Sequence, residues 1–164
     1  MNIAAIDSLT RERFVETLGF VFEDSPWVAE RAWARRPFSS VKELHTAMTA
    51  EVECATHDEQ LALLRAHPDL GARARLSEAS ADEQAGAGLD QMTPEEFETL
   101  RQFNETYRCK FGFPFLYAVK GASMHDILVA LAVRLDSPPE EEFRQALWEV
   151  YRIAWFRLES LFGG

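Results

Sequence analysis

Cysteine is scarce in this chain. Cys54 and Cys109 are the two present, each inside a helical pattern and neither in a CxxC or other ligand spacing, so neither a disulfide framework nor a zinc site is expected. Long apolar runs are missing as well: nothing approaches about 18 consecutive apolar residues, which excludes a membrane-spanning helix. The start Met1-Asn2-Ile3-Ala4-Ala5-Ile6-Asp7 lacks the basic residues and apolar run of a secretory signal, and the end Leu161-Phe162-Gly163-Gly164 lacks a peroxisomal Ser-Lys-Leu address. With reduced thiols, these absences point to a cytoplasmic protein. Positive charge is in deficit, with 17 Lys and Arg against 27 Asp and Glu and a formal charge of −10. Tight non-specific binding to nucleic acid or an anionic membrane needs the opposite field, so the expected partner is a small molecule, another protein or both. Alternating Val, Ile and Thr residues, the mark of a half-buried strand, are also wanting.

What is present is helix. At 164 residues and 47% apolar, the chain is long enough for a good core and short enough for one domain, residues 1–164. Start signals of the Ser/Thr-x-x-Glu form recur: Ser40 with Glu43, Thr56 with Glu59, and Thr93 with Glu96 behind Pro94. They predict helices near 41–55, 57–66 and 94–111, the last stopped by Gly112. Leu9 to Phe22 and Ser25-Pro26 to Arg36 supply two more, and Ser123 and Ser137-Pro138 open helices reaching about Leu135 and Phe162. The expectation is an all-α, single compact, bundle-like domain of seven or eight helices.

Chemistry concentrates in a few strings. His67-Pro68-Asp69-Leu70-Gly71 follows the apolar stretch Leu61–Leu64 and holds an imidazole in a turn between helices. Such a histidine either hydrogen-bonds a helix end or serves as a general acid/base, and Asp69 could cap the turn or fix the ring's tautomer. As metal ligands, His67 and Asp69 lack a second histidine at a sensible spacing. Further on, Ser80-Ala81-Asp82-Glu83-Gln84 reads two ways: Ser80 and Glu83 form a capping box for a short helix to about Ala87, or they face an anionic ligand at that helix's start. Gly86 and Gly88 allow close backbone approach there, but the Gly-x-Gly precedes no strand-helix unit, which removes a nucleotide-binding reading.

The run Phe111 to Lys120 is apolar and aromatic, and its Gly and Pro keep it from extending the preceding helix. It is expected to be a buried extended segment, whose backbone groups need partners from neighbouring helices or from a polar ligand. In the last helix Phe143, Leu147, Val150, Ala154 and Leu161 form an apolar stripe interrupted by Arg157, a guanidinium that calls for a carboxylate, carbonyls or a ligand. Arg134, at the end of the preceding helix, is accounted for by the helix dipole.

Taken in order, HPDLG, SxxEQ followed by AGAGL, NETYRCKFGFPF and IAWFRL resemble one family over essentially the whole chain. That family is the 2-oxo-4-hydroxy-4-carboxy-5-ureidoimidazoline (OHCU) decarboxylases of urate breakdown. The resemblance implies an all-α fold, no cofactor, a homodimer, and decarboxylation of OHCU to (S)-allantoin. By the same resemblance His67 is the proton donor, Glu83 the active-site carboxylate, and Pro68 with Ser80, Ala81, Asp82, Glu83 and Gln84 contacts substrate. Phe115, Leu116, Tyr117, Ala118 and Val119 correspond to a substrate-lining strip, and Arg157 to the arginine of the final helix. The linking stretch from Gly71 to Ala79 is shorter here than in other members.

On that footing the substrate carries a carboxylate and a hydroxyl on a ring carbon beside a C=N bond, so loss of CO2 can push electrons into the nitrogen. The protein then supplies orientation, a poorly solvated carboxylate and a proton on one face. Two other readings of the same residues are a non-catalytic helical interaction module, with HPDLG a corner and Arg157 an ion pair, and a metal-assisted hydrolase using His67, Asp69 and Glu83.

Overall fold

Capping decides where the helices begin. In the computed structural model, which describes residues 1–71 and 77–163, the side chains of Asn2, Thr10, Ser40, Thr56, Ser77, Thr93 and Ser123 each accept a backbone N–H that a first turn leaves unpaired, whereas the helix behind Pro26 starts without such a cap. Among the described residues every regular element is a helix, and the α-helical segments number nine. Eight answer to the predicted ones, and the ninth is a single turn at the start.

The first compact unit comprises Met1–Ala66 with Tyr151–Gly164. It holds α1 (Ile3–Ile6), α2 (Arg11–Leu18), α3 (Trp27–Ala32), α4 (Val41–Glu53), α5 (His57–Ala66) and the closing turns of α9 (Pro139–Phe162). Ser40 caps α4 by accepting from the Glu43 N–H at 3.1 Å, and Thr56 caps α5 by accepting from the Glu59 N–H at 3.1 Å while its own N–H donates back to Glu59. The helix expected over 9–22 is shorter: Thr10 caps it, α-geometry ends at Leu18, and Gly19–Val21 tighten into a 3₁₀ turn. Phe14, Leu18, Val28, Leu44, Met48, Val52, Leu63 and Leu64 are fully buried. Each replaces apolar–water contact by packing, worth about 1.5–3 kcal/mol per large side chain.

The second unit comprises His67–Val150. It holds α6 (Glu78–Gly86), α7 (Pro94–Phe111), α8 (Met124–Arg134) and the first part of α9. Thr93 and Glu96 form the expected capping box on α7 behind Pro94, and Gly112 closes that helix at φ +81°, a conformation open to glycine without strain. Ser123 and Asp126 form another capping box on α8. Between Gly112 and Ser123 the chain leaves helical geometry, as its Gly and Pro require, and Phe113 to Ala118 stay buried apart from half-buried Tyr117. Tyr107 of α7 anchors this stretch with its ring centroid 4.6 Å from Phe111, 5.9 Å from Phe113 and 5.3 Å from Phe115.

Candidate functional site

The corner after α5 is fixed by α7 and α6. His67 is buried, and Pro68 to Leu70 carry the chain round. Asn104 Nδ2 donates to the Leu70 carbonyl at 2.9 Å, and Arg108, one turn later on α7, pairs with Asp69 Oδ1 at 2.7 Å. The Asp69 carboxylate is thereby committed to Arg108. The sequence offered Asp69 the turn or the imidazole tautomer; Arg108 on α7 is a partner it did not suggest.

Gly71 then takes φ +80°, and its N–H donates to Gln84 Oε1 at 2.8 Å. A side chain here would be strained by that φ and would also bring a Cβ within 2.8 Å of Met92 Cε and 2.9 Å of Leu100 Cδ2. The Gly71–Gln84 bond ties the HPDLG corner to the SxxEQ helix. It also orients the Gln84 amide: the oxygen faces a backbone donor, and the NH2 group is the end turned away from Gly71.

The start of that helix differs from the sequence expectation. Ser77, not Ser80, is the cap, with its hydroxyl accepting from the Ser80 N–H at 3.1 Å. Ser80 therefore lies one turn inside α6, and Ser80 and Gln84, four residues apart, share its buried face. Glu83 and Ala81 are half-buried at the margins of that face, and Asp82 is exposed on the other side. His67, Ser80 and Glu83 each have interaction partners. The short link between the two motifs falls largely on 72–76, outside the described residues.

From Pro114 to Val119 the backbone runs without bend or turn, and the Phe115 and Tyr117 rings, two residues apart, stack at 6.0 Å and 12°. That is the side-chain alternation of extended chain, in which the N–H and C=O groups of successive residues also point to opposite edges. One edge is taken: Arg134 Nη1 donates to the Leu116 carbonyl at 2.5 Å, and the Ala118 N–H donates to Glu149 Oε1 at 3.3 Å. On the other edge the Tyr117 N–H and C=O and the Val119 N–H have no protein partner among the described residues. Buried backbone rarely goes unpaired, so this edge is suited to a ligand with donors and acceptors of its own.

The matching family model is that of OHCU decarboxylase, over residues 7–159. A 2-oxo-4-hydroxy-4-carboxy-5-ureidoimidazoline decarboxylase of Halalkalicoccus jeotgali is 47% identical over 161 residues, covering 98% of this chain and 92% of that protein. This chain belongs to the OHCU decarboxylase family. Among solved structures, one titled as (S)-allantoin synthase is similar with a TM-score of 0.80 at 33% identity, over 99% of this chain, which spans about half (54%) of that one. Another, of OHCU decarboxylase in the presence of (S)-allantoin, is similar with a TM-score of 0.73 at 25% identity, over 88% of this chain and 96% of that one.

Within the family frame, two arginines stand out. Arg157, in the first unit, is buried, with Nη2 on Glu23 Oε2 at 2.8 Å and Nη1 donating to the Phe20 carbonyl at 2.8 Å. Arg134, in the second, is also buried, although the helix dipole alone had accounted for it. Its Nε donates to Glu142 Oε1 at 2.7 Å, its Nη2 lies 2.5 Å from the same oxygen, and its guanidinium carbon sits 4.5 Å above the Phe115 ring. Tyr107 donates its hydroxyl to that Glu142 oxygen as well, and burial together with the adjoining carboxylate pushes the phenol's pKa upward, keeping it a donor. A cleft of about 290 Å³ lies beside the corner, between Asp69–Gly71 and the α7 residues Leu100, Asn104 and Arg108; His67, Glu83 and the 115–119 strip are not among its lining residues.

Proposed function

We propose that this chain is a carboxy-lyase that decarboxylates OHCU to (S)-allantoin, with protons managed by His67 and Glu83 and without a cofactor. Family membership gives the reaction, and one observation carries it to these residues: the Gly71 N–H bond to Gln84 Oε1, which joins the corner following His67 to the helix bearing Glu83. Breaking the bond from the ring carbon to its carboxylate sends the electron pair into the adjacent C=N nitrogen, and CO2 leaves. The decarboxylated carbon is then an enol carbon doubly bonded to its neighbour, the former C=N carbon that carries the ureido arm. His67 delivers a proton to one face of that neighbour, the enol hydroxyl loses its proton to become the ring carbonyl, and the face protonated sets the S configuration. Glu83 grips the ring hydroxyl or partners the imidazole. Gln84 donates to a substrate carbonyl, and the free edge at Tyr117 and Val119 pairs with the amide groups of the ring and ureido arm. Pro68, Ser80 and Ala81 complete the contacts.

Asp82, exposed on α6, enters only through the resemblance. The same holds for Arg157, two of whose nitrogens serve Glu23 and the Phe20 carbonyl. The reading further takes residues 1–164 as one functional domain, a homodimer, and a cytoplasmic location. No helix among the described residues is long and apolar enough to cross a membrane.

The test supplies OHCU, freshly made by urate oxidation and hydrolysis of the product, to the purified protein and to His67→Ala. Optically active allantoin should appear faster than in buffer with the first and at the buffer rate with the second. A wild-type chain that leaves the buffer rate unchanged, or a variant as fast as wild type, overturns the reading.

A further inference from the structure

A buried ion pair is weak evidence for stability, because desolvating both charges costs about what their attraction returns, and well-packed apolar groups serve as well. The cluster of Arg134, Glu142 and Tyr107 thus calls for a reason other than holding the fold. Its geometry supplies one. The guanidinium is planar with donors on fixed vectors, and here one side is set on Glu142 while the other reaches the Leu116 carbonyl. The carboxylate is in turn held by the Tyr107 hydroxyl, and the flat face of Arg134 lies on Phe115. Nε, Nη1 and the flat face are thus each engaged, while Nη2, close to Glu142 Oε1, makes no hydrogen bond of its own among the described residues.

The carbonyl so gripped belongs to the strip, and Glu149 takes the N–H of Ala118 two residues later, on the same edge. Two polar side chains, one from α8 and one from α9, hold Leu116 and Ala118. The intervening Tyr117 is left with both backbone groups turned the opposite way. We propose that Arg134 is a positioning residue for substrate: with Glu149 it sets the register of the 115–119 strip, so that the Tyr117 N–H and C=O and the Val119 N–H meet the amide edge of a cyclic ureide. This rests on the reading that the strip lines the substrate site. Arg134 touches only the strip's other edge, and its effect passes through backbone.

Strip contacts lie away from the carbon that loses CO2, so they bind ground state and transition state alike, and their loss falls on KM more than on kcat. The experiment compares wild type, Arg134→Lys and the double variant Arg134→Met with Glu142→Gln, by steady-state kinetics on OHCU and thermal melting. Lysine keeps the charge but lacks the fork and the flat face, so KM should rise about tenfold with kcat within about threefold and the melt close to wild type. The double variant leaves no buried charge unpaired, so it should fold, and it should raise KM further than lysine does. Wild-type turnover with KM within about twofold of wild type in both variants overturns the clamp and leaves the decarboxylase reading standing. Absence of wild-type turnover overturns that reading and the clamp with it.

Discussion

Among the described residues each unit of the molecule contains one buried arginine that spans a carboxylate and a backbone carbonyl, yet the two devices serve different neighbours. In the first unit Arg157 joins Glu23 and the Phe20 carbonyl, and the connector around them closes on itself: the Ser25 N–H donates to Phe22 O at 3.2 Å and the Ser25 hydroxyl to Glu23 O at 2.8 Å. In the second, Arg134 joins Glu142 and the Leu116 carbonyl, and the strip it holds keeps one backbone edge without a protein partner among the described residues. The same chemistry therefore seals a connector in one place and presents one in the other. An arginine's role is read from what its carbonyl's neighbours lack.

The largest expected effect separates chemistry from stability. His67→Asn keeps a polar side chain of similar reach but cannot deliver a proton, and should lower kcat by about 10²–10⁴-fold with little change in melting temperature. Loss of turnover only in proportion to lost fold would place His67 among structural corner residues. The complementary change is Glu23→Gln in the first unit, where both side chains of the pair are almost inaccessible, at 3% and 2%. Removing that charge takes from Arg157 its carboxylate and should cost about 3 kcal/mol of stability, read from denaturant melts. A Glu23→Gln variant of full stability would show that this pair does not hold the first unit.

Gly71→Ala sits between these extremes because Gly71 belongs to the corner and to the site. The φ of +80° should cost about 1 kcal/mol for any other residue, and Met92 and Leu100 must also yield to the new methyl. Since the Gly71 N–H holds Gln84, KM should rise along with the loss of stability. An alanine variant that loses stability while keeping KM would show that the corner and α6 act independently.

Much of this was open to reading in the chain. Helix starts were, because a hydroxyl three residues ahead of a glutamate meets an unpaired N–H whatever the tertiary setting, and Thr93 with Glu96 behaves so. The extended strip was, because Phe111 to Lys120 could neither stay helical nor face water. The start of α6 was not: Ser80-x-x-Glu83 matches a capping box, but Ser77 followed by Glu78 caps a turn earlier, which moves Ser80 to the buried face. The clamp was hidden by charge. Pro139-Glu140-Glu141-Glu142 reads as a solvated acidic first turn, yet Glu142 and Glu149 are each 1% exposed on the inward stripe that seemed to contain Arg157 alone among charged residues. A helical stripe drawn only through apolar residues misses charges whose partners lie far away in sequence, and Arg134 with Leu116 is such a case.

The smallest effect probes the first unit by protonation. His45 is partly buried, with Nε2 2.8 Å from the Tyr151 carbonyl and its ring edge-on to Trp155 at 5.3 Å. Burial holds its pKa below the ordinary 6.5, and the carbonyl offsets this only in part. Above that value the ring is neutral in both folded and unfolded chains and contributes no pH dependence. As pH falls below about 6.5 the unfolded chain takes up the proton first, so stability declines until the folded pKa is passed, and then levels. Melting temperature should accordingly drop between about pH 7.5 and 5.5, and His45→Gln, which can still donate to Tyr151 but does not titrate, should flatten that part of the curve. The same substitution should leave the pH profile of kcat/KM unaltered, because His45 belongs to the unit whose buried polar groups close on each other. A profile that moved with His45→Gln would couple the first unit to turnover and break the division between a sealed connector and a presented one.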